Sequence, residues 1–206
     1  VKITLLILGI LSLAAVGVLA VAAFRTSRAV YESAPYRIVR SDGKFEVRDY
    51  PALTVIETPM ARTGNSADGS FMRLFRFITG QNEAKKKIPM TTPVFMSGND
   101  SQATMSFVLP TTLSAEQTPK PLDGSVKVRV LPAGRYAVLR FSGGRSSKIE
   151  SESFDQLKVW MGAQGLSVSS SAVFAYFDPP WTPGFMRRNE VMLRIENSGP
   201  SIKGTD

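Results

Sequence analysis

The chain has no histidine and no cysteine among its 206 residues. The first absence excludes Ser-His and Cys-His nucleophilic catalysis, an imidazole general base and His-ligated zinc. The second excludes disulfides, thiolate metal sites and cysteine nucleophiles, and it leaves the redox compartment unread. A long basic tract is missing too. The formal net charge is +8, but the positive residues are scattered, apart from Lys85–Lys87 and Arg187–Arg188. Such a balance suits a solvated basic surface or an anionic partner and argues against nucleic acid. What remains is a chain with 43% hydrophobic residues, long enough for one domain plus an appendage and for a core without covalent staples.

Charge is also missing from one long stretch. Ile3 to Phe24 carries no charged side chain, with Lys2 before it and Arg25 and Arg28 after it. As a helix it would run roughly 33 Å, enough for a bilayer core. Residues 1–25 therefore read as a transmembrane anchor. A cleaved signal segment is the alternative, because Ala20, Ala22 and Ala23 offer a cleavage site. Positive residues at both ends decide orientation poorly. The simpler expectation is a membrane-anchored protein whose domain is exported, periplasmic or otherwise extracytoplasmic if the chain is prokaryotic. Residues 26–35 read as a linker, 36–196 as the folded domain and 197–206 as a flexible tail.

Within the domain the sequence repeats. Val47-Arg48-x-Tyr50-Pro51-Ala52 returns as Val128-Arg129-x-Leu131-Pro132-Ala133. Ser70-Phe71-x-x-Leu74-x-x-Phe77 returns as Ser153-Phe154-x-x-Leu157-x-x-Trp160, and Val94-Phe95 as Val173-Phe174. The matches keep their order and nearly constant spacing, which indicates an internal duplication. Each unit is strand, helix, strand, strand. Phe45 to Met60 reads as two extended runs about a Pro-Ala corner. Asp68 to Thr79 reads as a helix, with Ser66 or Asp68 as its N-cap and Gly80 as its stop. Met90 to Met96 and Thr104 to Leu109 read as strands. The second unit has strands at Val126–Leu131 and Arg135–Phe141, a helix at Ser151–Ala163, and strands at Ala172–Phe177 and Glu190–Glu196. The expected fold is α+β, a distorted, largely antiparallel β-barrel flanked by two helices.

Three stretches carry a family resemblance. KIPMTTPVFM (Lys87–Met96) resembles the Met-Thr-x-Pro-Val strand of the SOUL haem-binding family. YFDPPWTPGFMRRNEVMLRI (Tyr176–Ile195) resembles that family's closing hairpin, and KFEVRDYPALTVIET (Lys44–Thr58) its opening. The resemblance spans about Tyr36 to Ile195. It implies a distorted barrel of two similar halves, and non-covalent binding of haem or another porphyrin. The binding site it implies is an open apolar groove between the first helix and the last hairpin loop, used for trafficking, buffering or sensing rather than catalysis.

Plotted at 100° per residue, the first helix puts Phe71, Leu74, Phe75 and Ile78 on one arc, taken as its core face. Met72, Arg73, Arg76 and Phe77 fall on the other. In this reading Met72 and Phe77 pack on a porphyrin plate, and Arg73 or Arg76 meets a propionate. The second wall is the proline-stiffened loop bearing Pro180, Trp181, Phe185 and Met186. Arg187 either meets a carboxylate or fastens the hairpin. With histidine absent, Met72 and Met186 are the weak candidates for an iron ligand. Two other functions stay open. One is a small-molecule hydrolase of the effector-binding, gyrase-inhibitor-like kind, with Glu190 as base assisted by Tyr176 or Tyr136. The other is a membrane-tethered domain that offers its groove to a partner protein.

Overall fold

The computed structural model describes residue 17 and residues 30–61, 68–98 and 102–196. Eleven strands and two α-helices follow in order: β1 (Glu32–Ser33), β2 (Arg37–Asp42), β3 (Phe45–Tyr50), β4 (Leu53–Pro59), α1 (Ser70–Ile78), β5 (Thr91–Thr92), β6 (Val94–Ser97), β7 (Thr104–Val108), β8 (Lys127–Leu131), β9 (Gly134–Phe141), α2 (Ser147–Ala163), β10 (Val173–Tyr176) and β11 (Asn189–Arg194).

Nine strands form one antiparallel sheet in the order β2-β3-β9-β11-β10-β6-β7-β4-β8. The sheet curls, but β2 and β8 remain open edges, so the distorted barrel expected from the sequence is a half-barrel. The duplication is visible in that order. About the central β10–β6 pair, β11 mirrors β7, β9 mirrors β4 and β3 mirrors β8. The first strand of each half has crossed over: β3 pairs with β9 and β8 pairs with β4.

Alternation along the strands separates two faces. One carries Ile56, Met105 and Phe107 beneath α1, and Leu139, Phe174, Val191 and Leu193 beneath α2. The other carries Tyr50, Val55, Phe95, Val108, Val138, Ala175 and Met192. Both helices therefore lie on the same face, side by side, and the groove between them has β6 and β10 as its floor. Burial of such side chains stabilises by about 1.5–3 kcal/mol each before the entropic cost of folding.

Residues 32–35, placed in the linker from sequence, fold onto this body. β1 pairs in parallel with β5, and Ala34 is buried, its amide donating to the Thr92 carbonyl over 2.7 Å. No helix among the described residues is long and apolar enough to cross a membrane. The anchor expected at residues 1–25 and the tail at 197–206 lie outside the described residues, except for residue 17.

Candidate ligand-binding groove

The small side chain of Ser70 sets the rotation of α1. It is buried against β7, its hydroxyl donating to the Met105 sulfur at 3.7 Å. With Ser70 inward, Leu74, Phe77 and Ile78 complete the buried face, and Phe71, Met72 and Phe75 are left exposed. The core face expected from the sequence was thus off by roughly one residue. Phe77 is a core residue and cannot pack on a ligand plate. Phe71 and Phe75 take that place instead, their rings stacked at 5.9 Å between centroids. The N-cap expectation also changes. The helix follows Gly69, which has a left-handed φ of 77°, while the Asp68 carboxylate accepts from the Ser70 and Ala61 amides. Ser66 lies outside the described residues.

The two flanks of α1 face different ways. Arg73 donates to Thr58 Oγ1 (3.1 Å), the Pro59 carbonyl (2.6 Å) and the Asp68 carbonyl (3.0 Å), so its flank faces β4 and the β8 edge. Phe71 meets Phe107 of β7 edge-on at 5.1 Å. Because β7 lies between β4 and β6, the Phe71–Phe75 flank faces the groove. Arg73 and Arg76 consequently point away from it. They line a separate open pocket of about 270 Å³ with Phe77, Leu122 and Asp123. The expected pairing of Arg73 with a propionate beside the tryptophan loop fails, because its guanidinium is spent on holding α1 to β4.

The register supplies the groove's floor. Val94 stands opposite Phe107 and Tyr176, and Met96 opposite Met105 and Phe174. Directly opposed residues share a face, so Val94, Met96, Phe174 and Tyr176 form a continuous surface between the helices. The far wall is the first turn of α2. There the Tyr176 hydroxyl bonds Glu150 at 2.5 Å, and Arg145 lies 3.7 Å from the same carboxylate.

The loop from Asp178 to Arg187 leaves the floor directly after β10. It is a fastened structure. The Asp178 carboxylate accepts from the Arg188 amide (2.6 Å), the Gly143 amide donates to the Gly184 carbonyl (3.0 Å), and Asn189 donates to the Gly143 carbonyl (2.9 Å). Arg187 spans the loop, donating to the Thr182 carbonyl at 2.7 Å and to the Pro180 carbonyl. Of the two roles weighed for Arg187, the structure gives it the clasp. This bracing holds three large apolar side chains in solvent: Trp181 is 67% exposed, Phe185 82% and Met186 59%. They do not plug the end of the half-barrel.

The opposite face of the sheet holds a charge cluster whose central member, Arg48, sequence reasoning missed. Arg48 and Glu190 are fully buried and joined by two hydrogen bonds of 2.7 and 3.0 Å. Arg48 also donates to Glu46 (2.6 Å) and to the Tyr50 hydroxyl (3.1 Å). Arg188 donates to Glu190 (2.7 and 2.9 Å) and to the Tyr36 hydroxyl (3.1 Å). Burial raises the Glu190 carboxyl, but Arg48 and Arg188 outweigh it and hold the group below its ordinary value. Burial pushes the Tyr50 hydroxyl up to about 12. Glu190 is thus a sealed, weakly basic carboxylate with both oxygens engaged, an arrangement unsuited to a general base. Only the pairing of β3 with β9 beside β11 brings Arg48 to Glu190, so no local sequence signal could reveal that link.

Phe71, Met72 and Phe75 on α1 and Trp181, Phe185 and Met186 on the loop are exposed, an apolar content that suits a flat apolar molecule. The groove's donor set does not suit firm iron ligation. Among the described residues no group of three or more His, Cys, Asp or Glu side chains could hold a metal ion, and the two thioethers are soft, weak ligands.

Comparison with known proteins gives a family and a fold. The family model described as SOUL heme-binding protein matches residues 31–194. No curated protein matches the chain. Among solved structures, the C-terminal domain of EcmrR superposes with a TM-score of 0.56 at 14% identity, covering 78% of this chain and 98% of that one. A hydrolase from Listeria innocua superposes with a TM-score of 0.57 at 12% identity, covering 77% and 94%. At such identities the likeness is one of fold.

Proposed function

Because the chain belongs to the SOUL heme-binding family, we propose that it binds haem or a related tetrapyrrole non-covalently in the groove between α1 and the 178–187 loop, and that it works as a trafficking, buffering or sensing protein rather than an enzyme. One observation carries the reading: six large apolar side chains, three on α1 and three on the braced loop, stand exposed. A soluble surface seldom leaves such area uncovered without a partner. Phe71, Phe75 and Trp181 supply aromatic faces for a porphyrin plate, and Met72, Phe185 and Met186 supply adaptable apolar contact. The Arg187 clasp fixes the loop before binding and so lowers the ordering cost. Haem, when bound, supplies an iron centre, and Met72 and Met186 are the side chains in the groove able to approach it. Ile3 to Phe24 anchors the domain to a membrane, with the domain on the extracytoplasmic side.

Titration of the detergent-solubilised full chain with hemin tests the binding reading. A saturable Soret shift and quenching of Trp181 near equimolar hemin are expected. Each aromatic contact is worth about 1 kcal/mol, so Phe71→Ser with Phe75→Ser should weaken binding roughly tenfold or more. Arg73→Ala should lower stability and leave hemin affinity unchanged. Non-saturable binding, or full affinity in the double variant, would overturn the assignment of this groove.

A further inference from the structure

The end of the central strands where β6 begins and β10 ends gathers the groove's apolar loop together with two further features. The loop bearing Trp181, Phe185 and Met186 projects from it. β1 runs parallel to β5 immediately before β6, so the chain enters the domain at this end through the exposed Val30. The segment between α1 and β5 carries Lys85, Lys86 and Lys87, all exposed, and folds against the C-terminal end of α1, where the Ile88 amide donates to the Ile78 carbonyl. Of the nearby acids, Glu83 is exposed, while Glu32 accepts from the Thr111 amide and hydroxyl at 2.9 Å.

We propose that this end of the domain seats on a bilayer containing anionic lipid, with Trp181, Phe185 and Met186 inserted at headgroup level and Lys85–Lys87 against the lipid phosphates. The proposal rests in part on the anchored reading of Ile3–Phe24, since that run, followed by Arg25 and Arg28, delivers the chain to Val30 at this same end. The chemistry fits the bilayer surface closely. An indole with an apolar body and a polar N–H prefers the interface to either phase. A phenyl ring and a thioether gain by leaving water. A short run of lysines is drawn to an anionic leaflet over about a Debye length. The bracing of the loop also gains a purpose, since it holds the three side chains outward before the membrane is met. Seated this way, the groove opens beside the lipid, and a lipophilic tetrapyrrole passes between bilayer and protein without crossing bulk water.

The test uses the full chain reconstituted into phosphatidylcholine vesicles containing phosphatidylglycerol, with acyl chains brominated near the headgroup or near the bilayer centre. Trp181 and Trp160 are the two tryptophans. Trp160 is buried and donates to Asp42 over 2.8 Å, so it reports no lipid contact. The expected result is blue-shifted emission, strongly quenched by shallow bromines and weakly by deep ones, with the quenched component lost in Trp181→Ser. Chains that float with the vesicles yet show no quenching overturn the proposal and leave the anchor standing. Chains that do not float overturn both. Equal quenching without phosphatidylglycerol removes the lysines from the contact.

Discussion

Glu190 and Arg48 show how one pair of residues can stabilise and constrain at once. Two charges taken fully out of water are costly, and their attraction offsets that cost only when every donor and acceptor is engaged. Here that condition is met, and no buried side-chain nitrogen or oxygen lacks a partner among the described residues. Removing one charge leaves the other stranded, so Glu190→Gln should destabilise by about 3–5 kcal/mol. The pH dependence has a definite sign. A carboxyl whose folded value lies below its unfolded value stabilises fully above the unfolded value and loses that contribution as pH falls through the folded one. For Glu190 the loss therefore begins below its ordinary value of 4.5. Chemical denaturation across a pH series should show a stability plateau near neutrality and a decline in acid. In Glu190→Gln the plateau should be lower and the acid decline shallower. An unchanged acid slope would assign the effect to Asp49 and Asp68, whose carboxyls are also held low.

At the level of elements, the α1 flank and the 178–187 loop divide the work of the groove. The loop depends on Arg187, whose two backbone contacts cross it from the base. Arg187→Ala should leave global stability nearly unchanged, because the loop carries little of the core, but it should free Trp181 and Phe185 to sample many positions. Hemin affinity then falls several-fold through faster dissociation, which stopped-flow absorbance can measure. Faster association with unchanged dissociation would count against preorganisation. The strands that alternate cleanly, such as Thr104–Val108 and Asn189–Arg194, were legible in the sequence because one face of each must be apolar. β2 was not, since all six of its residues are exposed and no alternation marks it. The rotation of α1 was hidden for a related reason. Phe71, Phe75 and Phe77 are equally apolar, and only the small buried Ser70 decides which of them faces the sheet. The loop's apolar content was legible at Trp181, Phe185 and Met186, but its clasp depends on carbonyls that have no sequence signature.

For the whole molecule, the crossing-over of β3 and β8 matters more than either helix. The simplest tandem duplication has halves that each fold alone. Here β3 pairs with β2 and β9, and β8 pairs only with β4, so each half completes the other's sheet. The centre is shared as well, since β6 pairs with β10 across the join. An isolated first half would expose the edges of β3, β4 and β6, and would leave Arg48 without Glu190. An isolated second half would expose β9 and β10 and leave β8 with no partner at all. Unpaired edges and a stranded buried charge each cost more than a half-sized core can offset. Cutting at Gly124, which lies in the exposed connection before β8, gives fragments 30–123 and 124–196. Neither should show cooperative thermal unfolding alone by far-UV circular dichroism. Mixed at equal concentration, they should recover a cooperative transition whose midpoint rises with concentration, because association and folding are then one event. A fragment that melts cooperatively by itself would show that the halves are independent domains and that the exchanged strands are incidental to the fold.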